Sequence, residues 1–252
     1  MQGLSALPRL LAPLLLALPA YAAAPPPADP HAALSSQPPP LDSIDQRVLP
    51  CMACHGKEGR ATSDGYYPRI AGKPAGYLYN QLLNFREGRR NYPMMTYVVE
   101  RQTDVYLHEM AAFFSSQHLP YPPPQAPDVG AEVIERGRQL VTAGDEGKQI
   151  PACQACHGTR LTGALPATPG LLGLSHDYLM AQLGAWRQGN RHAHAPDCMA
   201  QVAQRLAPAD LYAAAAWLAT QSVPADASPS APIADLPLRC GSAPEPGATQ
   251  AA

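Results

Sequence analysis

Cys153-Gln154-Ala155-Cys156-His157 carries the same C-x-x-C-H pattern as Cys51-Met52-Ala53-Cys54-His55, placed 102 residues earlier. This pattern is the attachment signature of a c-type haem. Two thiols one helical turn apart can both add to the vinyl groups of the macrocycle, and the adjacent imidazole then meets the iron as the proximal ligand. Two copies predict two haem c groups, bound through Cys51 and Cys54 and through Cys153 and Cys156, with His55 and His157 on the irons. Zinc is the main competing reading, because C-x-x-C is also half of a zinc site. Zinc would need two further ligands per site, whereas here a contiguous His follows both pairs. Two disulfides or two buried Cys pairs form the plainest alternative.

Working outward from these pentapeptides, the chain is an internal duplication. At an offset of 101 residues, Tyr77-Leu78 matches Tyr178-Leu179, Gln81-Leu82 matches Gln182-Leu183, and Phe85 matches Trp186. Gly88 and Arg90 likewise match Gly189 and Arg191. Leu78, Leu82 and Phe85 follow the i, i+4, i+7 spacing of one apolar helix face, as do Leu179, Leu183 and Trp186. Ser175 is placed to cap the second of these helices, and both glycines to close them. A final helix opens near Thr103 in one half and near Pro208 in the other, burying Leu107, Met110, Ala111 and Phe114 or Leu211, Ala214, Ala215 and Leu218. Asp128 to Val141 reads as a further helix, in which Gly137 is unfavourable on propensity and predicts a close helix crossing. The shorter segment Leu41 to Leu49 stands in its place in the first half. No strand pattern is visible, so the fold class is all-α: two tandem domains, each wrapped around one covalently attached haem.

Met1 to Arg9 is a short segment with one positive charge, Leu10 to Leu18 is an apolar run, and Ala20-Tyr21-Ala22 is a small-x-small cleavage site. Residues 1–22 therefore read as a secretory signal peptide, which predicts export to the periplasm. A Pro/Ala-rich arm follows at 23–40. The first domain takes 41–117, a Pro-rich linker 118–127, the second domain 128–223, and an extended tail 224–252. The 252 residues include 30 prolines, only three Phe and two Trp, a weak aromatic core that two macrocycles would supplement. The formal charge is −2 and no basic run points to nucleic acid.

The sixth ligand decides between carrier and enzyme, because a second strong ligand leaves an iron only electron transfer. Met95 lies 40 residues after His55 and Met199 lies 42 after His157, each at the same distance before the final apolar helix. Matched placement favours both as axial ligands over core filler, with Met94 as the alternative in the first half. His192 and His194 precede Met199 closely and read as solvated loop residues that could compete with it. Pro68 and Pro169, each four residues before a matched Gly, are placed to present carbonyls that orient the haem imidazoles; a plain turn is the alternative. Arg69, Arg90, Arg160 and Arg191 are candidates to face propionates or solvent. Cys198 and Cys240 remain, and an even remainder in an oxidising compartment points to a disulfide, two free thiols being the alternative.

These residues resemble the di-haem cytochrome c4 family of class I cytochromes c. The resemblance is carried by Ile150 to Gly158, Pro68 to Gly72, Tyr77 to Leu83, Phe85 to Asn91, Pro93-Met94-Met95 and the entry into the Leu206 to Trp217 segment. It covers roughly residues 41–221. It implies two cytochrome c domains about a pseudo-two-fold axis, His55/Met95 and His157/Met199 ligation, and electron transfer between respiratory partners. Those partners would be a quinol-cytochrome c reductase and a terminal oxidase, with peripheral association to membrane complexes allowed. A second reading is the cytochrome subunit of a periplasmic dehydrogenase acting on sulfide, an alcohol or an aldehyde. A third is a haem enzyme such as a thiosulfate dehydrogenase, which would need one open or unusually ligated iron.

Overall fold

The computed structural model describes residues 42–62, 65–125 and 127–243. The expected signal peptide and the arm at 23–40 lie outside the described residues. The first half contains α1 (Ile44–Arg47), α2 (Leu49–His55), α3 (Ala75–Arg86), α4 (Pro93–Val99) and α5 (Asp104–Ser115). The second contains α6 (Ala131–Thr142), α7 (Gln154–His157), α8 (His176–Arg187), α9 (Cys198–Arg205) and α10 (Pro208–Thr220). The fold is mostly helical, as expected, with one addition. Gly163–Ala164 (β1) and Thr168–Pro169 (β2) pair as a two-residue antiparallel ribbon. Strands that short carry no alternation, so the sequence shows no sign of them.

Local chemistry sets the helix ends. Thr103 accepts from the Tyr106 N–H at the start of α5, Ser175 from the Tyr178 N–H at α8, and Asp197 from the Ala200 N–H at α9. Each satisfies one of the donors that a helix N-terminus leaves open. The expected opening of α6 at Asp128 falls instead at Ala131, with Gly130 in the cap position.

The halves fill their cores differently. In the first, α3 and α5 pack through Leu78, Met110, Ala111 and Phe114, and the four-residue α1 leans on α5. In the second, the full-length α6 crosses α10, whose Ala213, Ala214, Ala215 and Ala216 are all buried. Gly137 is the crossing point: a Cβ there would collide with the Ala213 carbonyl oxygen and approach the Trp217 Cβ to 2.7 Å. Propensity is given up at Gly137 so that two backbones can touch.

The halves form one compact unit. Arg90 and Arg191 form an isolated antiparallel bridge, supported by His192 N–H donating to the Arg89 carbonyl at 2.6 Å. The linker is pinned, because Arg69 donates to the carbonyls of Leu119 and Pro120 and stacks on Tyr121 at 3.8 Å.

The tail wraps the second half. Ser230 exchanges backbone hydrogen bonds with Gly163 and Leu165, and Thr162 donates to the Ser228 carbonyl. Cys240 forms a disulfide with Cys198, Gly241 N–H donates to the Pro196 carbonyl, and Asn80 of the first half donates to the Ser242 carbonyl. The disulfide closes a loop with a sequence separation of 42. Cys240→Ser is therefore expected to cost about 2–4 kcal/mol through the freed unfolded chain. Denaturant unfolding and trypsin cleavage at Arg239 read this out. A variant as stable and as resistant as wild type would show that the backbone bonds alone hold the tail.

Candidate haem sites

Both C-x-x-C-H pentapeptides end a short helix on the imidazole. Gly56 (φ +75°) and Gly158 (φ +82°) then turn the chain sharply. A Cβ at Gly56 would press on the Ala61 carbonyl at 2.5 Å, and one at Gly158 on the Gly163 carbonyl at 2.9 Å. The turns bring the following loops back beneath the rings. His55 Nδ1–H donates to the Pro68 carbonyl at 2.9 Å and His157 Nδ1–H to the Pro169 carbonyl at 2.7 Å. A carbonyl can only accept, so the tautomer is set and Nε2 keeps its lone pair. Burial lowers the pKa of both imidazoles below the usual range, partly offset by these hydrogen bonds. Both rings are thereby held neutral, the form that binds a metal.

Cys51, Cys54, Cys153 and Cys156 are unpaired and face the same cavity as the two imidazoles. Burial pushes the Cys51 thiol up to about 11 and the Cys153 thiol up to about 12. Met95 on α4 and Met199 on α9 line this cavity as well. Met94, the alternative, is 56% exposed, whereas Met95 is half-buried against Phe85, Val99 and Leu107. Asp197 caps α9 and also accepts from the Ala193 N–H, which fixes the turn that delivers Met199. Among the described residues no group of three or more His, Cys, Asp or Glu is placed to hold a metal ion by itself.

The cavity is continuous across both halves and measures about 1300 Å³, above the roughly 300–1,000 Å³ of a usual single-ligand site. Its wall carries Glu100, Asp177 and Asp197 as well as cations, but its most buried charges are positive. Arg69, Lys73 and Arg191, all on its wall, are 4%, 5% and 3% exposed, and among the described residues none meets a carboxylate within salt-bridge distance. At the seam, Arg90 donates to Gln81, Gln182 and the Tyr178 hydroxyl, while Arg191 donates to Gln182 and Gln81. Each guanidinium also stacks on its own half's aromatic ring, Phe85 or Trp186. The Arg191 Nε and Trp186 Nε1 donors are buried without a protein acceptor. Buried cations that share only neutral acceptors are costly unless an anion joins them. An apolar macrocycle with carboxylate arms meets all of these demands, so the residues fit haem.

Some expectations need correction. Arg160 takes the solvent alternative: it is exposed, lies off the cavity and pairs with Asp226 of the tail, which folds back over the second half. His194 is not a solvated loop residue: it is half-buried and hydrogen-bonded to Arg89 at 3.0 Å. His192 is exposed. Gln81 and Gln182 had no assigned role, although their exact repetition on two apolar helices was a visible signal. Lys73 was overlooked because its counterpart is Leu174, so no repetition marks it.

Two helical units that each present a carbonyl-oriented imidazole and a thioether to one cavity define a duplicated class I cytochrome c. The Cytochrome c family model matches residues 134–222. The thiosulfate dehydrogenase electron acceptor of Thiomonas intermedia is 36% identical over 181 residues, covering 72% of this chain and 82% of that one. Reduced cytochrome c4 from Pseudomonas stutzeri superposes with a TM-score of 0.62 at 28% identity, covering 71% of this chain and 97% of that one. A thiosulfate dehydrogenase (TsdBA) from Marichromatium purpuratum gives a TM-score of 0.61 at 36% identity; the match covers 68% of this chain but only 36% of that longer one. The chain belongs to the di-haem cytochrome c4 family. Its relatives are named as an electron acceptor and as cytochromes c4, which are electron carriers rather than enzymes.

Proposed function

We propose that this protein is an exported, periplasmic di-haem cytochrome that takes electrons from a thiosulfate dehydrogenase and hands them to a respiratory acceptor. The observation that carries this reading is the continuous cavity on which His55, Met95, His157 and Met199 all stand. The likeness to proteins named as thiosulfate dehydrogenase electron acceptors, 36% and 34% identical, supports that choice of donor. Bound haem would supply one-electron iron chemistry. The chain's own part is to anchor each macrocycle by two thiols, hold a neutral imidazole and a thioether at fixed places, and exclude water with apolar helix faces. Arg90 and Arg191 supply positive charge at the seam, where carboxylate arms need it. An imidazole and a thioether held ready for each iron would leave thiosulfate itself no position to bind.

Mixing tests this. Thiosulfate alone is expected to leave the oxidised cytochrome unchanged, whereas a catalytic amount of thiosulfate dehydrogenase should reduce both haems. Reduction by thiosulfate without the dehydrogenase would make the protein an enzyme. Reduction by a quinol-cytochrome c reductase but not by the dehydrogenase would make it a general cytochrome c4-type carrier, the reading favoured by the structural match to cytochrome c4.

A further inference from the structure

Lys73 belongs to the first half by sequence and to the second by contact. Its ammonium donates to the Gly170 carbonyl at 2.9 Å, across the seam. Gly170 directly follows Pro169, whose carbonyl holds the His157 Nδ1–H. Lys73 is 5% exposed and has no carboxylate partner among the described residues. Burial and the nearby Arg69 push its pKa down to about 8, and its charge in turn contributes to lowering the pKa of His157.

In the first half the cation that acts on His55 is Arg90, which comes from the same half rather than from across the seam. The duplication places Leu174 where a reciprocal lysine would stand. The residue matching Gly170 is Arg69, whose guanidinium is committed to the linker carbonyls. Two sites with the same ligand types, the same Nδ1–carbonyl orientation and the same fold therefore differ in the source of the cation that acts on the imidazole, and only the second takes it from the other half, at the residue next to its orienting carbonyl.

We propose that Lys73 is a redox-positioning residue that acts across the seam, raising the reduction potential of the centre held by His157 and leaving the centre held by His55 unaffected. The physical reason is Coulombic. A positive charge near an iron disfavours its ferric form, and a low-dielectric interior screens that charge weakly. The inference rests on the two-haem reading above.

The test is a spectroelectrochemical titration of the holoprotein as wild type, Lys73→Met and Lys73→Gln. In both variants one midpoint potential should fall and the other should stay in place. Gln keeps a donor for the Gly170 carbonyl but carries no charge, so a Gln variant with wild-type potentials would overturn the proposal in favour of a purely structural hydrogen bond. Repeating Lys73→Met on a Met199→Ala background, where the second centre is displaced and thus labelled, should move only that centre. Equal shifts in both potentials, no shift, or a shift confined to the first centre would each overturn the proposal. Fewer than two haems per wild-type chain would overturn the two-haem reading itself, whereas two haems with unmoved potentials overturn this inference alone.

Discussion

Met199→Ala should lower the potential of the second centre by on the order of 0.1 V or more, within the roughly 0.8 V range that axial ligands span. A thioether stabilises ferrous iron, and alanine offers nothing in its place. The substitution is clean because Met199 is half-buried and the α9 N-terminus stays capped by Asp197. Met95→Ala should do the same to the first centre and spare the second. Near-infrared magnetic circular dichroism of the oxidised protein reads the Met-to-iron charge-transfer band directly: each variant should lose one share of it and the double variant all of it. A full band in Met95→Ala would move the ligand to Met94. A band of only one share in the wild type would mean that one iron is bound otherwise, and His194 or an open site would then need testing.

The second large effect is structural. Gly137→Ala should destabilise the protein by about 2–4 kcal/mol, even though alanine improves helix propensity by about 1 kcal/mol. The added methyl meets the Ala213 carbonyl, which is backbone and cannot rotate away. Relief requires α6 and α10 to separate, uncovering the alanine face of α10. Gly184 in α8 is the control, since a Cβ there meets nothing within 4 Å. Gly184→Ala should be neutral or slightly stabilising. Denaturant unfolding compares the two, and equal effects would mean that the crossing is looser than the geometry requires.

How much of this could be read in the chain follows from what repeats. The cysteines, histidines, helix faces and paired methionines all recur at a near-constant offset, and duplication makes each copy evidence for the other. Gly137 was legible for another reason, because a residue that opposes its own helix must serve a neighbour. The features that escaped are single-copy. The β1–β2 ribbon is too short to have a period. The return of Arg160 to the tail and the bond from His194 to Arg89 depend on segments that meet only after folding. Lys73 is unreadable in the same way, for its meaning depends on a carbonyl 97 positions away.

The contrast between α5 and α10 bears on the ancestry of the two halves. One copy has bulky Leu107, Met110 and Phe114 and a four-residue first helix; the other keeps Leu211 and Leu218 but lines the face of its final helix with Ala213 to Ala216, against which a full helix packs. Each change makes sense only with its companion, so the copies are no longer interchangeable parts. Moving α10 into the first half would leave a void where α6 should lie, and moving α5 into the second would leave Gly137 facing side chains with no room. What began as repetition has become a pair of mutually exclusive packing solutions, and the chain now depends on having one of each.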